Sequence, residues 1–289
     1  MSQPEQRGAA GTPSLERERL GVAGAGTIAV GLAVCSVHER GGHALLWARS
    51  EESAQRARES VAELCEKLDH PEAIDRVRVT TALADLREST FVVEAVREDE
   101  QVKHGLLPKI RELLPDDAVL ATTTSSLNVE ALGQSSGDPT RFVGLHVFNP
   151  VTRMDLIEVC FTSENDADVR ERVFAFCRAI GKTPVEVPDE PGFVVNRLLF
   201  PYLFNAVRLL ERTGMEPADL DACMKLGAAY RMGPLELLDL IGLDVAEAIG
   251  DAIYADTSDP HHVAPGRMKQ LIGEGKLGRK SGAGFYDYR

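Results

Sequence analysis

A glycine-rich turn near the start of the chain limits what this sequence can fold into. The stretch "GVAGAGTIAVG" joins a short apolar run to a helix-like segment and places Gly24, Gly26 and Ala29 in the pattern G-x-G-x-x-A. Glycines in this context permit a tight strand-to-helix turn and a close approach of backbone amides to a phosphate at the helix N-terminus. The turn predicts a βαβ unit that binds a dinucleotide through Gly24, Gly26, Thr27 and Ile28. A glycine turn needed only for packing is the alternative.

The rest of the chain divides into a region of alternating strand-like and helix-like segments and a following region of helix-like segments. Between residues 19 and 188, strand-like runs such as "HALLWA", "STFVVEAV" and "FVGLHVF" alternate with helix-like stretches. This predicts an α/β domain with a Rossmann-like, doubly wound, mostly parallel sheet. After "VPDEPG" apolar residues recur at helical spacing, so residues 189–289 are predicted to form an all-helical domain. Residues 1–18 contain no apolar core and are predicted to be a disordered tail.

Composition narrows the class of partner. The formal net charge of −13 disfavours a nucleic-acid-binding surface, and no apolar run reaches the roughly 18 residues that a membrane span needs. The five cysteines form no CxxC pair, and the adjacent His261 and His262 offer no recurring ligand spacing. Neither a disulfide framework nor a metal site is therefore expected. Because residues 1–18 also lack the apolar segment of a secretory signal, we expect a cytoplasmic protein.

Two ionisable residues interrupt the apolar runs of "GLHVFNPVTRMDLIEVC". His146 lies in the first run and Glu158 in the second, and burial of either charge is costly unless it is paired. A satisfied core histidine is the simplest explanation. In a dinucleotide enzyme, however, histidine suits the removal of a hydroxyl proton, and a paired carboxylate fixes its tautomer. A serine-hydrolase triad with Ser125 is another reading, although Ser125 does not lie in a G-x-S-x-G elbow.

Several longer motifs resemble the 3-hydroxyacyl-CoA dehydrogenase family. The resemblance extends from about Leu20 to the C-terminus and is carried by "GAGTIAVG", "VVEAV", "TTSSL", "GLHVFNPV", "LIEV", "PGFVVNRLLFPYL", "MKLGAAYRMGPLELLDLIGLD" and "KLGRKSGAGFYDY". It implies a Rossmann-like domain followed by a helical dimerisation domain, and hence a homodimer. It also implies reversible oxidation of a 3-hydroxyacyl thioester to the 3-oxoacyl thioester with a nicotinamide cofactor. A non-catalytic dinucleotide-binding protein that kept the fold is the alternative.

The same resemblance implies roles for individual residues at the substrate. His146 would take the hydroxyl proton, and Glu158 would orient His146. Ser125 would contact the substrate's 3-oxygen, and Asn196 would help to hold the reacting acyl part. Asn149, which follows the histidine motif, would also lie at the substrate.

The predicted cofactor site departs from the family pattern in one place. The resemblance places Glu98 and Lys103 near the ribose and nicotinamide. The second strand, however, ends in Arg49 and Ser50, where an NAD site normally has a carboxylate that binds the ribose hydroxyls. A guanidinium can instead pair with a 2′-phosphate, and the Ser50 hydroxyl can add a further hydrogen bond to it, so we expect NADP(H) to be preferred over NAD(H). The alternative is that Arg49 points to solvent, stacks on the adenine ring of NAD or meets a CoA phosphate.

The region that would meet the acyl carrier also departs from the family. The loop after the histidine motif reads "PVTRMD", and the segment after the helix of residues 51–69 is short and poor in lysine. Basic residues in that segment often meet the phosphates of CoA in the family. The sequence therefore leaves two candidates for the group that carries the acyl chain, CoA and an acyl carrier protein.

Overall fold

The chain divides into two units after Asp189. A computed structural model describes residues 18–289, with the first unit ending at Asp189 and the second spanning Glu190–Arg289. Sequence analysis predicted the boundary between residues 188 and 189. The predicted tail lies outside the described residues, apart from Glu18.

The first unit is built on an eight-stranded sheet with helices between its strands. The strands are β1 (Leu20–Ala23), β2 (Ala44–Trp47), β3 (Val77–Thr80), β4 (Phe91–Glu94), β5 (Val119–Thr122), β6 (Phe142–Val147), β7 (Leu156–Phe161) and β8 (Thr183–Glu186). The helices are α1 (Thr27–Arg40), α2 (Glu51–Lys67), α3 (Glu100–Arg111), α4 (Val129–Ser136) and α5 (Ala167–Ala179). Short 3-10 helices cover Pro71–Arg76, Leu83–Glu88 and Pro139–Arg141.

The order of the strands creates a cleft beside the first strand. The sheet runs β3-β2-β1-β4-β5-β6-β7-β8, and every neighbouring pair is parallel except β6 and β7. The chain therefore leaves β1 towards β2 on one side and later returns to β4 on the other. Ligands of such sheets bind at this reversal, outside the carboxyl ends of the strands. The predicted doubly wound, mostly parallel sheet is confirmed, while the half-exposed edge strand β3 lies outside the predicted strands.

Helix α1 is enclosed along most of its length. Its residues from Ala29 to Val37 are all buried, because the helix packs between the sheet and the helices α2 and α5. A side chain at Gly31 would lie 2.6 Å from the Cβ atom of Val151. The absence of a side chain there lets the loop after β6 rest on the helix that begins at the glycine turn.

The second unit is helical, as the sequence predicts. Its helices are α6 (Val195–Thr213), α7 (Pro217–Gly227), α8 (Pro234–Ile241), α9 (Leu243–Thr257) and α10 (Gly266–Gly273), with 3-10 helices at Pro260–His262 and Arg279–Ser281. The stretch from Pro234 to Thr257 reads as one helix in sequence but breaks at Gly242, whose φ of 102° suits glycine. In the part of the chain from residue 18 onwards, no helix has both the length and the hydrophobicity that a membrane crossing requires.

Candidate active site

The glycine turn brings bare backbone to the start of α1. Gly24 has φ 154°, and a Cβ atom on it would lie 2.3 Å from the carbonyl oxygen of Ala95 at the end of β4. Gly26 caps α1 without a side-chain hydrogen bond, and the first turn of the helix carries no acidic residue. The amides of this turn and the positive end of the helix dipole therefore suit the negative charge of a pyrophosphate.

A cleft of about 960 Å³ opens beside this turn. Its walls include the turn itself, Trp47 at the end of β2, and Asn149 from the loop after β6. Four cationic side chains also line it, namely Arg49, Arg56, Arg97 and Lys109. The volume, the bare turn and the positive charge together fit a dinucleotide phosphate chain. Asn149, predicted at the substrate, thus lies on the wall of the cofactor cleft.

Ser50 has a different local role from the one the sequence suggests. Its side chain accepts the N–H of Ser53 and caps α2, and Ser53 reciprocates by accepting the N–H of Ser50 at 3.1 Å. This capping box occupies the Ser50 hydroxyl. Ser53 lines the cleft together with Arg49 and Arg56. The cleft therefore offers a hydroxyl near Arg49 from Ser53 rather than from Ser50.

His146 and Glu158 form a buried pair across the β6–β7 hairpin. The two residues stand directly opposite each other in the antiparallel register, so their side chains project from the same face of the sheet. The imidazole Nδ1 lies 2.6 Å from the Glu158 Oε2 atom, and both residues are almost fully buried, with 5% and 2% of their surface exposed. With Nδ1 donating to the carboxylate, Nε2 is the ring nitrogen that can accept a proton.

Ser125 lies in a loop whose backbone is fixed by Glu98. The loop, residues 123–128, connects β5 to α4. The Glu98 Oε1 atom accepts hydrogen bonds from the Thr124 hydroxyl at 2.6 Å and from the Ser125 N–H at 2.7 Å. Sequence analysis expected Glu98 at the cofactor, and in this structure its carboxylate also sets the direction of the Ser125 backbone.

Lys103 lies inside the first unit and is completely buried. Its Nζ atom donates to both oxygens of Glu94, at 2.9 and 2.8 Å, and to the Thr123 carbonyl at 2.8 Å. Glu94 is also completely buried and accepts the N–H of Val96 at 2.7 Å. Because no part of the Lys103 side chain is exposed in this structure, it has no surface with which to make the expected contact with the cofactor. The ammonium instead ties α3 to the ends of β4 and β5 beneath the cleft, a role that Glu94 shares and that sequence analysis missed.

Comparisons with known proteins agree with this arrangement. Residues 19–190 match the family described as "3-hydroxyacyl-CoA dehydrogenase, NAD binding domain", and residues 192–288 match "3-hydroxyacyl-CoA dehydrogenase, C-terminal domain". The chain belongs to the 3-hydroxyacyl-CoA dehydrogenase family. It is thus an oxidoreductase that uses a nicotinamide cofactor, and the alternative of a serine hydrolase is not favoured.

Individual relatives cover most of this dehydrogenase. The human mitochondrial hydroxyacyl-coenzyme A dehydrogenase is 41% identical over 211 residues, which are 73% of this chain and 67% of the relative. A probable 3-hydroxybutyryl-CoA dehydrogenase from Deinococcus radiodurans is 35% identical over 278 residues, covering 93% of this chain and all of the relative. The crystal structure of (S)-3-hydroxybutyryl-CoA dehydrogenase from Ralstonia eutropha superposes with a TM-score of 0.88 at 31% identity, covering 94% and 99% of the two chains.

The loop after the histidine strand of this dehydrogenase has a buried anchor. Lys182, which is 7% exposed, donates from Nζ to the carbonyl oxygen of Val151 at 2.6 Å. Val151 in turn packs against Gly31 of α1. These contacts fix the segment that carries Asn149 to the glycine-turn helix and to the start of β8. Sequence analysis missed Lys182, because a lysine beside a predicted strand reads as a solvent-exposed residue.

The remaining predicted substrate residue, Asn196, belongs to the second unit. It lies in the first turn of α6, and 8% of its surface is exposed. The structure therefore places His146, Glu158 and Ser125 in one unit and Asn196 in the other. Within residues 18–289 no three His, Cys, Asp or Glu side chains group as metal ligands would, and all five cysteines are free thiols.

Proposed function

We propose that this chain catalyses the reversible oxidation of a 3-hydroxyacyl-CoA to the 3-oxoacyl-CoA, with His146 as the base for the hydroxyl proton. The observation that carries the proposal is the buried Nδ1–Oε2 hydrogen bond of 2.6 Å between His146 and Glu158, in the same unit as the glycine turn. A charge-assisted hydrogen bond of this length in a water-poor site is strong. It holds the imidazole with Nε2 ready to accept a proton from the substrate.

Each residue of the site contributes a separate part of the reaction. Nε2 of His146 removes the proton from the 3-hydroxyl group, and the Glu158 carboxylate stabilises the positive charge that forms on the imidazole. A nicotinamide held at the glycine turn would supply the acceptor for the hydride that leaves the carbon bearing this hydroxyl group. The hydroxyl of Ser125 donates to the substrate's 3-oxygen, whereas the substrate contacts expected of Asn149 and Asn196 stay predictions. The Ser125 role is supported by the fixed backbone of its loop.

The cofactor of this site is NADP(H) in preference to NAD(H). The turn after β2 presents Arg49 to the cleft, where a carboxylate would repel a 2′-phosphate, and Ser53 and Arg56 also line the cleft. Each charge-assisted hydrogen bond to a phosphate is worth roughly 1.5–3 kcal/mol, so a preference of about tenfold or more is expected. The test compares kcat/KM for the two cofactors in the wild type and in Arg49→Asp. A wild type that prefers NAD, with little change on substitution, would contradict the assignment.

The acyl carrier is CoA, and the substrate assay is designed to test this directly. The family match and the names of the relatives support a CoA thioester. Matched 3-hydroxyacyl thioesters of CoA, of pantetheine and of an acyl carrier protein are compared by the formation of reduced cofactor. Turnover that is fastest with CoA supports the proposal. Turnover only with the carrier protein contradicts the CoA assignment and leaves the proposed chemistry intact, whereas no turnover with any thioester contradicts the function.

The second unit mediates a homodimer of a cytoplasmic enzyme. Large apolar side chains are exposed on its helices, above all Leu198 at 71% and Leu226 at 87%. Surfaces of this kind are usually covered by a partner, and a two-fold interface is the commonest arrangement. Light scattering should report about twice the 31.4 kDa of the chain. Leu198→Glu should shift the mass towards the monomer, and a wild type that stays monomeric at micromolar concentration would contradict the proposal.

A further inference from the structure

Asp189, the last residue of the first unit, binds the N-terminus of α4. Its Oδ1 atom accepts the N–H of Val129 at 3.0 Å, and its Oδ2 atom accepts the N–H of Glu130 at 2.8 Å. The local cap of this helix is already supplied by Asn128, which accepts the N–H of Ala131 at 2.7 Å. The first amides of a helix need partners, and here two of them are satisfied by a carboxylate that lies some sixty residues further along the chain.

The charge of the same carboxylate also acts on a side chain of the strand that carries Glu158. Burial is the main cause that raises the pKa of the Cys160 thiol, and the negative charge of Asp189 is the next. Cys160 lies two residues after Glu158 on β7, so both side chains project from the same face of that strand. Asp189 is therefore bonded to the helix that follows the Ser125 loop and lies close enough to β7 for its charge to act on Cys160.

The Ser125 loop is thus held at both ends by carboxylates from other parts of the unit. Glu98 accepts the N–H of Ser125 at the beginning of the loop. Asp189 fixes the first turn of α4, where the loop ends. Only the short segment 123–128 lies between β5 and α4, so a shift of α4 moves the backbone that carries the Ser125 hydroxyl.

We infer that Asp189 is a positioning residue, which holds the helix end of the 123–128 loop so that the Ser125 hydroxyl meets the substrate's 3-oxygen. The inference rests on the role proposed for Ser125 and extends it. Misplacement of a positioning contact by about 1 Å can cost on the order of 10²-fold in rate, so removing the Asp189 carboxylate is expected to lower kcat/KM for the thioester by about 10- to 100-fold. Cofactor affinity is expected to change little, because neither Asp189 nor the first turn of α4 lines the cleft at the glycine turn.

A helix cap of the same design provides a matched control. Asp221 in the second unit accepts the N–H groups of Leu235 and Glu236, both at 2.9 Å, at the start of α8. Asp189→Asn and Asp221→Asn are isosteric, and each weakens a two-oxygen cap. Asp221→Asn also alters the hydrogen bond that Oδ2 accepts from the Tyr286 hydroxyl at 2.7 Å, so it is a stringent control for a general loss of stability. A general loss of stability would appear in both variants, whereas a positioning role appears only in Asp189→Asn.

The experiment is a double-mutant cycle between Asp189→Asn and Ser125→Ala, with kcat/KM for a 3-hydroxyacyl-CoA as the readout. If Asp189 acts through Ser125, adding Asp189→Asn to the wild-type protein lowers kcat/KM. Adding the same substitution to the Ser125→Ala variant has little further effect. Equal losses in both backgrounds, or an equal loss in Asp221→Asn, would overturn the inference. Amide hydrogen exchange gives a readout that does not need turnover. Asp189→Asn should speed exchange in residues 123–130, and unchanged exchange there would overturn the inference even if the proposed substrate proved wrong.

Discussion

Replacing Glu158 by glutamine removes a charge from the centre of the proposed site and changes little of its shape. The carboxylate is 2% exposed and faces the imidazole at 2.6 Å. An amide in its place can donate from its NH₂ group to Nδ1 of His146. The imidazole would then carry its proton on Nε2, which is the nitrogen that must accept the substrate's proton. The substitution therefore removes both the stabilisation of the imidazolium and the tautomer that catalysis needs.

The expected loss follows from these two effects. A hydrogen bond to a charged group contributes roughly 1.5–3 kcal/mol, and each 1.36 kcal/mol corresponds to a factor of about ten in rate. The lost bond alone predicts a fall of about 10- to 150-fold. Because a positioned acid–base group contributes about 10²–10⁴-fold, the wrong tautomer should bring the loss in kcat to on the order of 10²-fold or more.

Stopped-flow formation of reduced cofactor from a 3-hydroxyacyl-CoA measures kcat, and fluorescence titration measures the cofactor Kd. Glu186→Gln is the control, because Glu186 lies on the neighbouring strand and is half exposed in a surface ion pair with Arg170, which contributes little to stability. We expect a loss of kcat in Glu158→Gln alone, with cofactor Kd unchanged in both variants. Near-normal turnover in Glu158→Gln would refute the reasoning about the pair.

Further predictions concern buried groups. Lys103→Met should lower the free energy of unfolding by about 3–5 kcal/mol, because it leaves the Glu94 charge buried and unpaired; urea unfolding checks this, and a loss as small as that of a surface variant would contradict the buried pair. Lys182→Met should release the Val151 carbonyl and lower thioester turnover with little change in cofactor Kd, and an unchanged rate would show that the loop needs no such anchor. In the native protein a thiol reagent should modify Cys223, the exposed cysteine, far faster than the other four, whose pKa values are raised mainly by burial; rapid reaction of all five would contradict the fold.

The sequence predicts most of the fold because its signals are local. Buried strands appear as short apolar runs, and the glycine turn between β1 and α1 identifies the cofactor end of the sheet. Strand β3 escapes prediction, since a half-exposed edge strand has no continuous apolar run. The role of Ser50 was open to prediction, because a serine directly before a helix is a common N-cap.

The parts of the site that sequence reasoning missed are long-range pairs. The burial of Lys103 depends on Glu94 at the end of another strand, and the contact of Asp189 with α4 joins positions far apart in the chain. No periodicity or spacing reports such pairs. His146 and Glu158 were recognised because a short hairpin brings them together and because ionisable residues stand out within apolar runs.

The central claim is that His146 performs the proton transfer in a nicotinamide-dependent oxidation of a 3-hydroxyacyl-CoA. The most direct measurement is the rate of cofactor reduction with and without the thioester, in the wild type and in His146→Ala. We expect thioester-dependent reduction of the cofactor by the wild type and a loss of about 10²–10⁴-fold in His146→Ala, with cofactor binding retained in both proteins. Equal rates in the two proteins would contradict the role of His146. A wild type that binds the cofactor but does not reduce it when any 3-hydroxyacyl-CoA is added would contradict the proposed reaction.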